Sequence, residues 1–245
     1  MTLSLTVSDE VRALAPGFTH VVVQAHGLVN GPSTDASSAL LDEAARRLAV
    51  RLEGRAPHED PHMAAWREVY TAFGSKPSRT RNSAEALAKR ALSEAGLPRI
   101  NMLVDLYNAI SVAHLIPVGG EDIDRIQGDM RLVRATGDED FVTVAGGEEV
   151  VEHPDTGEVV WRDDAGVTCR RWNWRQGPRT RLTEETVAAV FLLEAVAPMP
   201  AADVETAAAE LAELLEKFSP EARITVRSQA LGPVRRIKLR EGGGA

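Results

Sequence analysis

The hydrophobic period of this chain changes near Gly128, from the 3.6-residue spacing of helices to the two-residue alternation of strands, and that switch limits the folds open to it. Ahead of it, one early run, FTHVVVQA, reads as a buried strand after Pro16 and Gly17, with a turn-rich exit over Gly27 to Ser33. Three helices follow. Leu40, Leu41, Ala44, Ala45, Leu48 and Leu52 mark the first, and Met63, Trp66, Val69, Tyr70 and Phe73 mark the second, which starts at about Pro61 and ends at Gly74. Asn82 with Glu85 three residues on predicts a capping box for the third, which carries Leu87, Ala88, Ala91 and Leu92.

After Gly128, MRLVRA, FVTVA, GEVVWRD and VTCRR alternate or carry branched residues, and PDTG between VVEH and EVVW predicts a hairpin turn. One further helix, DVETAAAELAELLEKF, is expected with Asp203 as its N-cap. RITVRSQ and VRRIKLR read as two closing strands ahead of a loose EGGGA tail. Helices and strands segregated in this way predict an α+β fold, with mixed or antiparallel sheets covered by packed helices.

Lys+Arg 28 against Asp+Glu 36 gives a net charge of -8, which argues against broad attraction to nucleic acid, so DNA is not an expected partner and any RNA contact must be local. Cys169 is the only cysteine, which rules out an intrachain disulfide and a cysteine zinc cluster. No 18-residue apolar span is present, and MTLSLTVSDE lacks the pattern of a signal peptide. A soluble, cytoplasmic protein is expected, with no membrane contact.

Against that acidic background, RRWNWRQGPRTR from Arg170 to Arg181 concentrates five arginines and two tryptophans. Guanidinium forks hold phosphates or carboxylates, and indoles offer faces to a planar ring, so Arg170, Arg171, Trp172, Trp174 and Arg175 are candidates for binding something anionic or planar. The alternative is a strand and turn whose arginines stack on their own tryptophans.

Three smaller patterns were weighed in the same way. HEDPH, His58 to His62, fits the zinc-protease spacing, but Pro61 belongs at the first position of a helix with Asp60 as cap and His58 outside it, so no metal site is expected. Arg170 and Arg171 beside Cys169 would favour its thiolate, yet the alternation of Val167 and Cys169 against Thr168 and Arg170 places the thiol on an apolar, core-facing side. In NMLVDLYNAIS, Asn101, Asp105, Asn108 and Ser111 share one helical face, either solvated or the wall of a polar pocket.

Taken together, FGSKPSRTRNSAEALAKRAL, LPRINMLVDLYNAISVAHLIPVGGEDIDRI, GDMRLVRATGDEDF, GEVVWRDDAGVTCRRWNWRQG and TEETVAAVFLLEAV resemble the B3/B4 domain of the phenylalanyl-tRNA synthetase beta subunit, above all its free-standing relatives. The resemblance covers roughly 66 to 197. It implies one domain over 1–240, with an N-terminal α/β lobe at 1–60 and a C-terminal helix and strands at 201–240. In the synthetase this α+β module hydrolyses tyrosine mischarged onto the phenylalanine tRNA. The resemblance therefore implies editing of aminoacyl-tRNA in trans, with tRNA and the amino acid moiety as partners and no cofactor.

Carried over residue by residue, the family's threonine and asparagine fall at Tyr107 and Asn108. Its pocket histidine falls at Gly119 after Pro117, its glycine-rich loop at Arg171 to Trp174, and its strand glutamate at Glu194. Asn108, Asn173 and Glu194 are the expected catalytic set, orienting water or the ammonium group. Arg170, Arg171 and Arg175 are expected on phosphates or the ester, and Trp172 or Trp174 on the terminal adenine. Arg79 and Arg81, before the capped helix, are a second phosphate candidate or a solvated loop. The alternative function is a noncatalytic module using the same pocket for an amino acid, a nucleotide or an RNA end.

Overall fold

The structure, a computed structural model, describes residues 3–229 and 235–236. Two five-stranded sheets carry the fold. The elements in order are β1 (Leu5–Val7), α1 (Asp9–Leu14), β2 (Thr19–His26), α2 (Asp35–Leu52), α3 (Pro61–Ala72), α4 (Ser83–Ala91), α5 (Met102–His114) and β3 (Val118–Asp122). They continue with β4 (Met130–Arg134), β5 (Phe141–Ala145), β6 (Glu148–Glu152), β7 (Val159–Asp163), β8 (Gly166–Arg170), β9 (Arg175–Gln176) and β10 (Ala188–Ala195). The last are α6 (Ala201–Phe218), β11 (Arg223–Gln229) and β12 (Arg235–Arg236).

The first sheet has the order β1-β4-β7-β8-β9, parallel only between β1 and β4. The second, β12-β11-β2-β10-β3, is antiparallel throughout. This is the α+β arrangement of mixed and antiparallel sheets that the sequence predicts. The early strand β2 sits in the second sheet between β11 and β10, the strand that carries Glu194.

β10 is buried along its whole length because both of its faces are covered. Phe191 and Leu193 pack with Leu211 and Leu215 of α6 and with Leu103 and Leu106 of α5. Val190 and Leu192, on the opposite face, join Leu132, Val159 and Trp161 of the first sheet and Trp66 and Tyr70 of α3. Glu194 continues the Val190 and Leu192 side by strand alternation, so it looks into the space between the sheets.

Local signals place the helices. Pro61 opens α3 with Asp60 as its N-cap, the Asp60 side chain accepting from the His62 amide, and His58 lies outside in a 3₁₀ turn. Asn82 caps α4 by accepting from the Glu85 amide at 2.8 Å. α6 starts at Ala201 with Pro200 at the cap, so the N-cap lies three residues before the predicted Asp203, which falls instead in the first turn, where its charge suits the helix dipole.

One predicted turn is corrected. PDTG does not join a hairpin, because β6 pairs with β5 through Gly146 and Gly147, whereas β7 pairs with β4 and β8. The β5–β6 ribbon forms a separate two-stranded sheet. Of the expected closing strand VRRIKLR only Arg235 and Arg236 are described, paired to β11, and EGGGA lies outside the described residues. No helix among the described residues is long and apolar enough to cross a membrane.

Candidate functional site

A cleft of about 290 Å³ opens between the sheets. Its walls follow from register. Trp161 on β7 is opposite Cys169 on β8, which is opposite Gln176 on β9, so all three project from the same face of the first sheet. On the second sheet Gly119 is opposite Leu192, with Glu121 and Glu194 further along the same side. Ser83, Ala86 and Leu87 of α4 and Tyr107 and Asn108 of α5 close the edges.

Glu194 is the polar centre of one wall. Its Oε1 accepts from Trp161 Nε1 at 3.0 Å and Trp172 Nε1 at 3.1 Å, and its Oε2 accepts from Asn173 Nδ2 at 2.9 Å. Asn173 is itself fixed, its Oδ1 accepting from the Tyr70 hydroxyl at 2.8 Å and its carbonyl from the Ser83 amide at 3.1 Å. Burial lifts the Glu194 carboxyl to about 7, against the hydrogen bonds from Asn173, Trp161 and Trp172. A carboxyl so placed can accept or give up a proton near neutrality.

Trp172 is fully buried, edge-on to Trp66 at 5.2 Å and to Phe18 at 5.0 Å, so neither of its faces is free to stack on a base. Trp174 is only partly buried, and the guanidinium carbons of Arg171 and Arg175 lie 4.8 and 5.1 Å from its ring centre. Both readings of the basic stretch therefore hold in part. The arginines stack on their own tryptophan, and that tryptophan lines the cleft.

Arg170 is not brought to the cleft. It projects from the opposite face of β8, under the β5–β6 ribbon, where its Nε and Nη2 donate to the two oxygens of Glu158 at 3.0 and 2.8 Å and its Nη1 to Glu152 at 2.7 Å. The expectation that Cys169 packs toward the core holds, and the same side of β8 also faces the cleft. The ribbon buries the Arg170 side, while Cys169 packs at the margin of the core and lines the cleft. Its thiol is pushed well above the usual range, first by burial and then by Glu121 and Glu194.

Three more cations of the stretch are paired. Arg171 reaches Glu158 and Asp155, Arg175 reaches Glu152, and Arg179 holds Asp163 through two bonds of 2.8 and 2.7 Å. Arg81 pairs with Glu85 at 3.3 Å just ahead of the α4 N-cap, and Arg79 is exposed. Four of the five arginines are thus locally neutralised, and among the described residues the cleft lining contains no lysine or arginine.

The polar stripe of α5 divides. Asn101 caps the helix, Asp105 accepts from the Ser37 hydroxyl at 2.7 Å, and Ser111 donates to the Ile116 carbonyl at 2.7 Å. Only Asn108 lines the cleft. Sequence reasoning missed Glu121, Trp161, Gln176 and Ser83. Glu121 carried a signal, since a strand over VGGED places it two residues from Gly119 and so on the same face.

The chain matches the family model described as the B3/4 domain over residues 65–220. Its fold is similar to that of an N-terminal fragment of the phenylalanyl-tRNA synthetase beta-subunit from Pyrococcus horikoshii, at 14% identity and a TM-score of 0.46, over 93% of this chain and 52% of that one. The chain therefore spans about half the length of that fragment. No curated protein matches it. The family match takes in α3 through α6 and every cleft residue from Ser83 to Glu194, and by it the chain belongs to the B3/4 domain family.

Proposed function

We propose that this protein hydrolyses the ester of mischarged aminoacyl-tRNA in trans and recognises the tRNA 3′ end. The observation that carries the reading is Glu194, a buried carboxyl near neutrality held by three neutral donors in an aromatic-walled cleft large enough for an amino acid. An acidic lining without a lysine or arginine among the described residues favours an α-ammonium group over a free phosphate.

In this scheme Glu194 receives the ammonium of the aminoacyl group, and Asn173 is a positioning residue, its amide already spent on Glu194 and Tyr70. Asn108 orients water or the ester carbonyl from the α5 side. Water adds to the carbonyl carbon, the bond to the ribose oxygen breaks, and the proton lost by water ends on that ribose hydroxyl. Such an ester is labile enough for positioning to supply most of the acceleration. Trp174 with Arg171 and Arg175 meets the terminal adenosine, and Arg81 and Arg79 take the preceding phosphates in this scheme.

A second reading, a noncatalytic module for an amino acid or RNA end, is favoured by one specific observation. Cys169, the only thiol, is held protonated, and the polar groups around Glu194 already serve protein partners. A panel of aminoacyl-tRNAs, each carrying a cognate or near-cognate amino acid, separates the two. Ester loss faster than the spontaneous rate for at least one member is expected. Binding without acceleration for any member would leave the module.

A further inference from the structure

Glu121 and Glu194 occupy two ends of the same cleft. Glu121 is opposite Val190, four residues along β10 from Glu194, which separates them by roughly 13 Å of strand. Between them lies Gly119, opposite Leu192, and a Cβ there would meet nothing within 4 Å. The floor between the two carboxyls is therefore open.

Glu121 is only 4% exposed, yet its Oε2 has no hydrogen-bond partner among the described residues. Thr180 and Gln176 lie close enough to hold its carboxyl down without completing a bond to Oε2. The Thr180 hydroxyl beside it is also buried without a partner, and the Gln176 amide donates to the Gly120 carbonyl at 2.8 Å. Arg179, a cation that lowers its carboxyl, is held by Asp163 through two bonds. Folded proteins rarely leave a buried carboxyl oxygen unpaired, and here the unpaired group is in the wall of a cavity.

We infer that Glu121 sets the specificity of the cleft, which takes an amino acid moiety with a cationic side chain, its distal ammonium or guanidinium at Glu121 and its α-ammonium at Glu194. The inference rests on the proposed seating of the amino acid in this cleft and is independent of ester hydrolysis. Trp161 lines the cleft beside Glu194, and an indole face attracts a cation that has lost part of its water. With no cation in the lining among the described residues, a negatively charged side chain would find no counter-charge. An apolar side chain would fill the space and leave Glu121 unpaired.

Titration calorimetry with the full chain tests this, using L-lysinamide and L-norleucinamide, a pair that differs by the terminal ammonium and lacks the ester. Lysinamide is expected to bind roughly tenfold more tightly or better, and Glu121→Gln to bring the two ligands within about twofold by weakening lysinamide alone. Glu121→Asp, which keeps the charge and shortens the side chain, should retain part of the preference, and thermal unfolding of each variant confirms the fold. Equal binding of the two ligands by the natural chain would overturn the inference, as would an undiminished preference in Glu121→Gln or the absence of saturation by lysinamide at millimolar concentration. An aminoacyl-tRNA panel without ester loss, alongside an intact lysinamide preference, would remove the hydrolase reading and leave this one standing.

Discussion

Trp172 donates its indole N–H to Glu194 Oε1 at 3.1 Å from a left-handed backbone, φ 67. Arg171 before it is left-handed as well, φ 46. Non-glycine residues hold such angles at a cost of about 1 kcal/mol or more, so the surroundings must enforce them. They do so through the Trp172 amide, which donates to the Val159 carbonyl at 2.6 Å, and through the edge-on contacts with Trp66 and Phe18. The resemblance put a glycine-rich loop here. The turn has a glycine-like conformation while carrying side chains that close the cleft and fix its carboxyl.

Removing that carboxyl should therefore be costly. Glu194→Ala orphans two indole N–H groups and the Asn173 amide in a buried wall, and a loss of about 3–5 kcal/mol in urea unfolding is expected. Glu194→Gln keeps an acceptor for the indoles and should cost less than half as much. If the two variants are equally stable, the network does not hold the wall.

Adjacent arginines should behave in opposite ways. Arg170→Ala leaves Glu158 buried with its bidentate partner gone and should destabilise by about 3–5 kcal/mol. Arg171→Ala touches more exposed pairs and a tryptophan face, so it should change stability by under about 1 kcal/mol while weakening binding of an aminoacyl-tRNA end by about 1–3 kcal/mol. Stability and binding measured on both variants check the division, and an unchanged Kd for Arg171→Ala would take that residue out of the site.

The helices were legible because their signals are local. Asn82, Pro61 and the spacing of Leu41, Ala44 and Leu48 each act within a few residues. The site was legible only in part. That RRWNWR and Asn108 belong together followed from resemblance, but which arginine faces the cleft depends on the β5–β6 ribbon covering one side of β8, a contact no spacing encodes. The same long-range packing misled the PDTG assignment, since turn chemistry fits a hairpin whether or not its flanking strands pair.

Gly119 offers a way to block the cleft without unfolding the chain. Its backbone is not left-handed, and an added side chain projects into open space. Gly119→Leu should shift Tm by no more than a few degrees and abolish binding of lysinamide and of aminoacyl-tRNA. Gly120→Leu is the contrast. Its Cβ would come within 2.9 Å of Leu182 and 3.0 Å of Tyr107, so the cost is expected in stability. Undiminished binding by a folded Gly119→Leu would place the ligand elsewhere.

Stability should fall as pH rises through neutrality, and Glu121 should account for most of the fall. Burial lifts its carboxyl to about 8, against Thr180, Gln176 and Arg179, and lifts Glu194 to about 7. From the ordinary carboxylate value upward, the folded chain binds protons at these sites that the unfolded chain has released, so stability declines with pH until the folded values are passed. Burial lowers His20 and His62 to about 4, which acts in the opposite sense: unfolding takes up protons below the ordinary histidine value of 6.5, so stability is lost as pH falls from there. The two effects oppose each other below pH 6.5. Above it only the carboxyls act, because Tyr107 and Cys169, which face Glu121, are pushed upward out of the window. Between pH 6.5 and 8 a loss of about 2 kcal/mol is expected for the natural chain, at about 1.4 kcal/mol per pH unit for one proton. Glu121→Gln should flatten that decline to the smaller part due to Glu194. Urea midpoints for both proteins across this range decide it, and parallel curves would mean that Glu121 is ionised in the folded cleft.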